Sequence, residues 1–363
     1  MSLAHKIALT LIKNVGPKHA KNLLLAFENA EAIFAAKKEA LLKIEGIGEK
    51  IAAAILYTNA LSQAEEHLKF IAKHRIEVLF YTDENYPKRL RHCYDAPILL
   101  YFKGKVDFNQ ARIVSIVGTR NATPYGKDLC KKLIAALLPY RVLVVSGLAY
   151  GIDITAHKES ITGGLATVGV LGHGLDRVYP AAHKDIARKM VVNGGLLTEF
   201  LPGTLPDREN FPKRNRIIAG ISDVTVVIEA SMRGGALITA EIANSYFKDV
   251  YAFPGRTNDK YSEGCNFLIK TNRAGLINDP KDLIYYLGWE DEVVKKAETQ
   301  VQLPLNLTKA EQLVVELLNN QVLGIDELSF KVSMPQSQLA IVLLTLEMQG
   351  ILVTLPGKLY KIS

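Results

Sequence analysis

The amino-acid sequence predicts an α/β protein: a doubly wound parallel sheet of Rossmann-like type, with a small helical domain before it and a helical domain ending in a short β wing after it. Three observations predict it. From Ala111 onward the chain repeats apolar strand, glycine turn and helix, and near-continuous apolar strands between amphipathic helices imply a parallel sheet covered on both faces. Residues 1–75 carry only short helical patterns around two glycine turns, and residues 308–363 have a helical periodicity of their own. At 363 residues the chain is too long for one ordinary domain. The expected division is a helical domain at 1–75, the sheet domain at 76–290, a linker at 291–307 and a winged-helix domain at 308–363.

Within 1–75, Leu3, Ile7, Leu11 and Ile12 keep helical spacing, as do Leu41, Leu42, Ile51 and Ile55. Two tight turns, 14–18 and 45–50, each precede a helix whose free N-terminal amides can take a phosphate beside Lys18 or Lys50. The pair resembles a helix-hairpin-helix clamp on the DNA backbone, although plain helix-helix turns need the same glycines. Residues 76–81 and 97–103 read as edge strands. The strands of the main sheet fall at 112–117, 142–146, 167–171, 195–198, 224–228 and 250–253, with helices near 125–138, 152–162, 182–193 and 236–247. In the last part, helices at about 308–319, 325–332 and 335–349 precede two wing strands, 350–353 and 358–362, which resembles a winged helix-turn-helix. Its recognition helix starts with Gln336, Ser337 and Gln338 but has no Arg or Lys. Phosphate affinity needs cations, so a protein contact or capping role is expected there ahead of duplex reading.

Composition narrows the function. With 48% hydrophobic and 22% charged residues the chain is neither disordered nor embedded in a membrane. Lys6 and Lys13 interrupt the apolar pattern at the start, and no run approaches the ~20 residues that span a bilayer, so no signal peptide or membrane span is expected. Cys93, Cys130 and Cys265 are too scattered for a disulfide framework or a metal knuckle, which suits a reducing cytoplasm. The net charge of +7 favours a polyanionic partner.

Ligands of an open parallel sheet bind outside the carboxyl ends of its strands. There the sequence places Gly118, Thr119 and Arg120; then Gly147, Leu148, Ala149 and Gly151; then Gly172; then Phe211, Lys213, Arg214, Asn215 and Arg216; and finally Gly234 and Gly235. Bare amides beside several cations make an anion-binding rim, and several cations suit a chain of phosphates better than a single one. Phe211 offers a face for base stacking, or serves as core beneath an Arg-Asn-Arg loop. Arg120, Arg214 and Arg216 are expected to share one crevice, because they follow the first and fourth strands, taken to flank the point where strand order reverses. The first turn lacks G-x-G-x-x-G and no acidic residue ends the second strand, so no dinucleotide cofactor is expected.

Taken together and in order, these motifs resemble the DNA-processing protein A (Smf) family over about residues 80–285. The matching pieces include Tyr86-Pro87, Val117-Gly118-Thr119-Arg120, Ser146-Gly147-Leu148-Ala149 with Gly151-Ile152-Asp153, Gly172-x-Gly174-Leu175-Asp176, Tyr179-Pro180, Phe211-Pro212-x-Arg214-Asn215-Arg216, Leu237-Ile238-Thr239-Ala240 and Pro254-Gly255. The resemblance implies a dimeric, cytoplasmic bacterial protein that protects incoming single-stranded DNA and loads the RecA recombinase during natural transformation, without chemistry of its own. The chain departs from the family pattern at Gly234-Gly235-Ala236, where two serines are usual, and at Arg273-Ala274-Gly275, where a Gly-Ala pair is usual.

Other readings compete. Asp153, His157 and His173 suggest a metal or acid-base site, but a third ligand of clear spacing is missing, so packing and capping roles are expected. Glu199 and Glu229 read as carboxylates that hold arginines in place. Gly234 to Glu241 faintly echoes the signature of nucleotide hydrolases of the lysine-decarboxylase-like type, with Glu241 one residue out of place. A duplex-binding regulator acting through the winged helix would leave the basic rim without a purpose.

Overall fold

Six helices open the chain: α1 (Leu3–Leu11), α2 (Pro17–Ala26), α3 (Ala30–Ala35), α4 (Lys38–Leu42), α5 (Glu49–Leu56) and α6 (Ala60–His74). The computed structural model describes residues 2–290, 307–319, 321–355 and 358–362; the expected linker, apart from Leu307, lies outside them. Contacts divide the chain into two units, 1–287 and 288–363. Gly16 and Gly48 are the N-caps of α2 and α5, and Gly46 sits at φ +82°, where a side chain would be strained. Lys18 and Lys50 are exposed in the first turns of those helices.

The apolar faces of the helices, with Ile7, Leu9, Ile33, Leu41 and Ile55, bury against Phe80, Leu99 and Tyr101. These three belong to β1 (Glu77–Phe80) and β2 (Leu99–Lys105), whose other faces place Leu79, Leu100 and Phe102 in the core of the main sheet. Alternation along two strands therefore joins the helical part to the sheet. At about 1.5–3 kcal/mol for each large side chain, this burial holds both parts in one unit.

After a short helix α7 (Lys88–Arg91) come β3 (Ile113–Val117), α8 (Pro124–Leu137), β4 (Leu143–Ser146), α9 (Ile152–Gly163), β5 (Thr167–Val170), α10 (Lys184–Met190), β6 (Gly194–Thr198), α11 (Asn210–Ile221), β7 (Val224–Val227), α12 (Gly235–Ser245), β8 (Asp249–Ala252), α13 (Glu263–Lys270), β9 (Gly275–Leu276) and α14 (Pro280–Tyr286). The sheet order is β1-β2-β6-β5-β4-β3-β7-β8-β9. The pairs β1–β2 and β2–β6 are antiparallel and all the others parallel. Every residue of β3 to β7 is buried, as strands covered on both faces require.

Two expectations are corrected. The order reverses between β3 and β7, the first and fifth strands of the parallel set, and the fourth, β6, lies beyond β4 and β5. The Arg-Asn-Arg run 214–216, read as a loop, lies inside helix α11 (Asn210–Ile221). Because β6 and β7 are far apart in the sheet, α11 crosses back over β5, β4 and β3, and that crossing delivers its arginines to the strand ends.

The second unit has its own core of Val314, Leu318, Leu328, Leu339, Leu343, Leu346 and Ile351. Helices α15 (Lys309–Leu318), α16 (Ile325–Val332) and α17 (Gln336–Met348) pack with a three-stranded sheet of β10 (Leu323–Gly324), β12 (Leu359–Ile362) and β11 (Leu352–Leu355), in that order. A capping box between Thr308 and Glu311 starts α15. The exposed face of α17 presents Ile341, Leu344 and Met348.

Candidate nucleic-acid interface

At the carboxyl ends of β3, β4 and β5 lies a pocket of about 110 Å³ whose walls include Arg120, Leu148, Ala149, Gly172, Phe211 and Arg214. Phe211, near the start of α11, is its centrepiece. The guanidinium carbons of Arg120 and Arg214 lie 5.6 Å and 5.9 Å from the ring centroid, within cation–π range. A Cβ on Gly172 would stand 3.0 Å from the ring, so glycine lets the ring lie against the β5 loop. Tyr179 supplies a second aromatic, 6.1 Å from Phe211 between centroids. The volume is well below the roughly 300–1,000 Å³ of ordinary small-molecule sites; it suits a base or a phosphate group.

The two arginines differ in kind. Arg120 is exposed on the loop after β3. Arg214 is 6% exposed, donates through Nη1 to the Val170 carbonyl, and has an Nε with no partner. Burial pulls its pKa down to about 10, against the attraction of Asp153, and Arg120 lowers it further, so it remains a cation at neutral pH. Burial raises the Asp153 carboxyl, opposed by Arg214 and by the Ala149 amide that donates to it at 3.3 Å. Gly147 makes room for this pair: a Cβ there would meet Asp153 Oδ2 at 2.4 Å and Arg214 Nη1 at 2.6 Å. Asp153 thus supplies a nearby opposite charge for the buried arginine.

His157 holds the same loop from below. Its Nε2 lies 2.5 Å from the Gly147 carbonyl and its Nδ1 2.7 Å from Thr167 Oγ1. A carbonyl only accepts, so Nε2 carries the hydrogen. Burial lowers its pKa to about 4. His173 borders the pocket, with Nδ1 2.9 Å from the Gly174 carbonyl, and burial lowers its pKa too. Among the described residues no group of three or more His, Cys, Asp or Glu converges to hold a metal.

The remaining rim residues stand apart from the pocket. Arg216 donates to Glu199 and to the Asp95 carbonyl, so it belongs to a different contact and not to the crevice expected for it. Lys213 is exposed on α11; Asn215 is buried and reaches the Gly235 carbonyl at 3.4 Å, which ties Gly234 and Gly235, at the start of α12, to α11. Gly118 and Gly151 are structural, since a Cβ on either would strike Ile152 or the Thr119 carbonyl; Thr119 accepts at 3.2 Å from the Asn121 amide. Tyr150, on the loop after β4, and Tyr179, on the longer loop after β5, also line the pocket; neither is among the rim residues marked by the sequence, where the available signal is an aromatic side chain in a strand-end loop.

Glu229 fills the place where strand order reverses. It is 3% exposed and accepts from the Thr123 amide at 2.9 Å and from Thr123 Oγ1 at 2.5 Å, at the N-terminus of α8. In this fold a nucleotide phosphate commonly takes that position. Glu241, the carboxylate of the hydrolase echo, is bound by Arg273 at 2.6 Å, half-exposed on α12.

A parallel sheet with an arginine-aromatic pocket, preceded by paired hairpin turns and followed by a winged helix, defines a multidomain protein of the DNA-handling class. The family model for DNA recombination-mediator protein A matches residues 77–288, a helix-hairpin-helix motif matches 7–66 and a DprA winged helix domain matches 298–358. Protein Smf of Synechocystis is 36% identical over 293 residues, covering 78% of this chain and 72% of that protein. DNA processing protein DprA of Streptococcus pneumoniae is 40% identical over 202 residues, 56% and 71% of the two chains. The X-ray structure of DprA from Streptococcus pneumoniae superposes with a TM-score of 0.58 at 31% identity, over 74% of this chain and 97% of that one. The DNA processing protein A structure from Helicobacter pylori, described for its single-stranded DNA binding mode, gives 0.54 at 29% identity, over 59% and 95%. The chain belongs to the DNA recombination-mediator protein A family. No helix among the described residues is long and apolar enough to cross a membrane.

Proposed function

We propose that this chain binds single-stranded DNA at the carboxyl-end rim of its sheet, protects it and hands it to the RecA recombinase during natural transformation, as a cytoplasmic homodimer and without catalysis. The observation that carries the reading is the Phe211 ring with the guanidinium groups of both Arg120 and Arg214 within 6 Å of its centroid. A fixed aromatic takes a base by stacking and the flanking cations take the phosphates on either side, which is how single strands are held without sequence choice. The single-stranded DNA binding of the Helicobacter pylori relative supports it. Recombinase loading and dimerisation rest on the family alone. The exposed Ile341, Leu344 and Met348 of α17 favour a protein contact for the winged helix over duplex reading.

Fluorescence anisotropy of the full chain with labelled single strands, duplexes and nucleotides tests this. Tight, salt-sensitive and sequence-tolerant binding of single strands, weaker on duplex, is expected, with a log-log salt slope of about −0.7 per phosphate neutralised. Equal affinity for duplex, or release of base from a nucleoside monophosphate, would sink it.

A further inference from the structure

A second, larger groove of about 870 Å³ opens at the carboxyl ends of β7 and β8. We propose that the single strand held in the arginine pocket continues into this groove, which makes it a second subsite with Tyr125 as its stacking platform and Arg256 and Lys260 as its phosphate contacts. This rests on the single-stranded DNA reading above.

Four observations carry it. First, the two sites are lined by residues that are near neighbours along the chain. Arg120 lines the first pocket and Thr123, Pro124 and Tyr125 line the second; three residues of chain span at most about 11 Å, so a strand leaving one reaches the other. Second, Tyr125 is 49% exposed, yet its hydroxyl donates to the Pro254 carbonyl at 2.9 Å. The ring is thereby pinned across the groove with a face left to solvent. Third, Arg256 and Lys260 are exposed on the opposite lip, and neither makes an ion pair among the described residues. Asp259 lies between them, which leaves the lip with a net positive charge. Fourth, the floor carboxylate, Glu229, is turned into the α8 N-terminus by its two bonds from Thr123, so it does not oppose a phosphate at the lip. Exposed cations beside a pinned aromatic are the elements of a single-strand track.

The test compares wild type, Arg120→Ala and the double variant Arg256→Ala/Lys260→Ala, each as the full chain. The probes are labelled oligothymidylates of about six and about twenty nucleotides, a range that brackets the usual site size. The double variant is expected to bind the short strand within twofold of wild type and the long strand about tenfold more weakly, with a salt slope shallower by about 1.4, the value for two phosphates. Arg120→Ala is expected to weaken both lengths. Wild-type affinity and slope of the double variant on the long strand would overturn the second subsite while leaving the first intact. A nucleoside monophosphate whose binding the double variant loses, with DNA binding unaffected, would give the groove to a mononucleotide and also overturn the track. Failure of wild type to bind either strand would bring down the DNA reading itself, and the track with it.

Discussion

Arg214 on α11 donates to the main-chain carbonyl of Val170 at the end of β5, so one side chain both forms the wall of the pocket and fastens the crossing helix to the sheet. Arg120, which also lies within cation–π range of Phe211, is exposed, and replacing each of them has a different cost.

Arg214→Ala leaves Asp153 buried without its counter-charge. It also loses the bond to the Val170 carbonyl, worth about 1.5–3 kcal/mol for a charged donor, so the variant is expected to show a clear drop in urea midpoint as well as lost binding. Arg120→Ala is expected to keep wild-type stability and to lose a contact worth about 1–2 kcal/mol, tempered by solvent. Urea titration and anisotropy on both variants check this. Equal stability of the two would mean that Arg214 does not anchor α11.

Phe211→Ala removes the stacking face and is expected to weaken single-strand binding by about 1–3 kcal/mol. Gly172→Ala, by pressing a Cβ against the ring, is expected to shift it and weaken binding by a lesser amount. Ring burial in Phe211→Leu is largely retained, so a leucine variant that binds like wild type would argue against stacking and for plain core packing.

His157 has a folded-state pKa of about 4 against an ordinary value of 6.5. As pH falls, the unfolded chain takes the proton first. The neutral ring therefore contributes stability that is complete above about pH 6.5 and is lost progressively as pH falls toward 4, roughly 3 kcal/mol in all. NMR of the imidazole is expected to show no titration between about pH 8 and 5, and His157→Gln to remove this part of the acid sensitivity. A native-state midpoint near 6.5 would refute the assignment.

Glu229→Ala uncovers the Thr123 amide at the start of α8. A buried donor left without its acceptor costs about 1–3 kcal/mol. The variant is expected to melt lower than wild type and to recover part of the difference in inorganic phosphate, which can refill a helix N-terminus. Phosphate that raises the melting temperature of both proteins equally would show that the position is not an anion site.

The strands of the sheet were legible because buried parallel strands read as unbroken apolar runs: 112–117, 142–146 and 224–228 coincide with β3, β4 and β7 to within a residue or so. Helix α11 was not, because its first half is Phe211-Pro212-Lys213-Arg214-Asn215-Arg216 and only Ile217 to Ile221 is apolar. Pro212 stands in the first turn, where a missing amide costs nothing. Reading that run as a loop also hid a separation. Two residues along a helix turn through about 200°, so Arg214 and Arg216 face opposite ways, one toward Phe211 and the other toward Glu199. Strand order was out of reach, since a crossover's destination is set by packing and leaves no mark on local pattern.

Glu229 also bears on how such a protein behaves in a cell full of nucleotides. In this architecture the usual phosphate seat lies at the reversal of strand order. Here the seat is taken by a group that can neither be released nor diluted. A phosphate could enter there only by displacing a carboxylate bonded twice to Thr123.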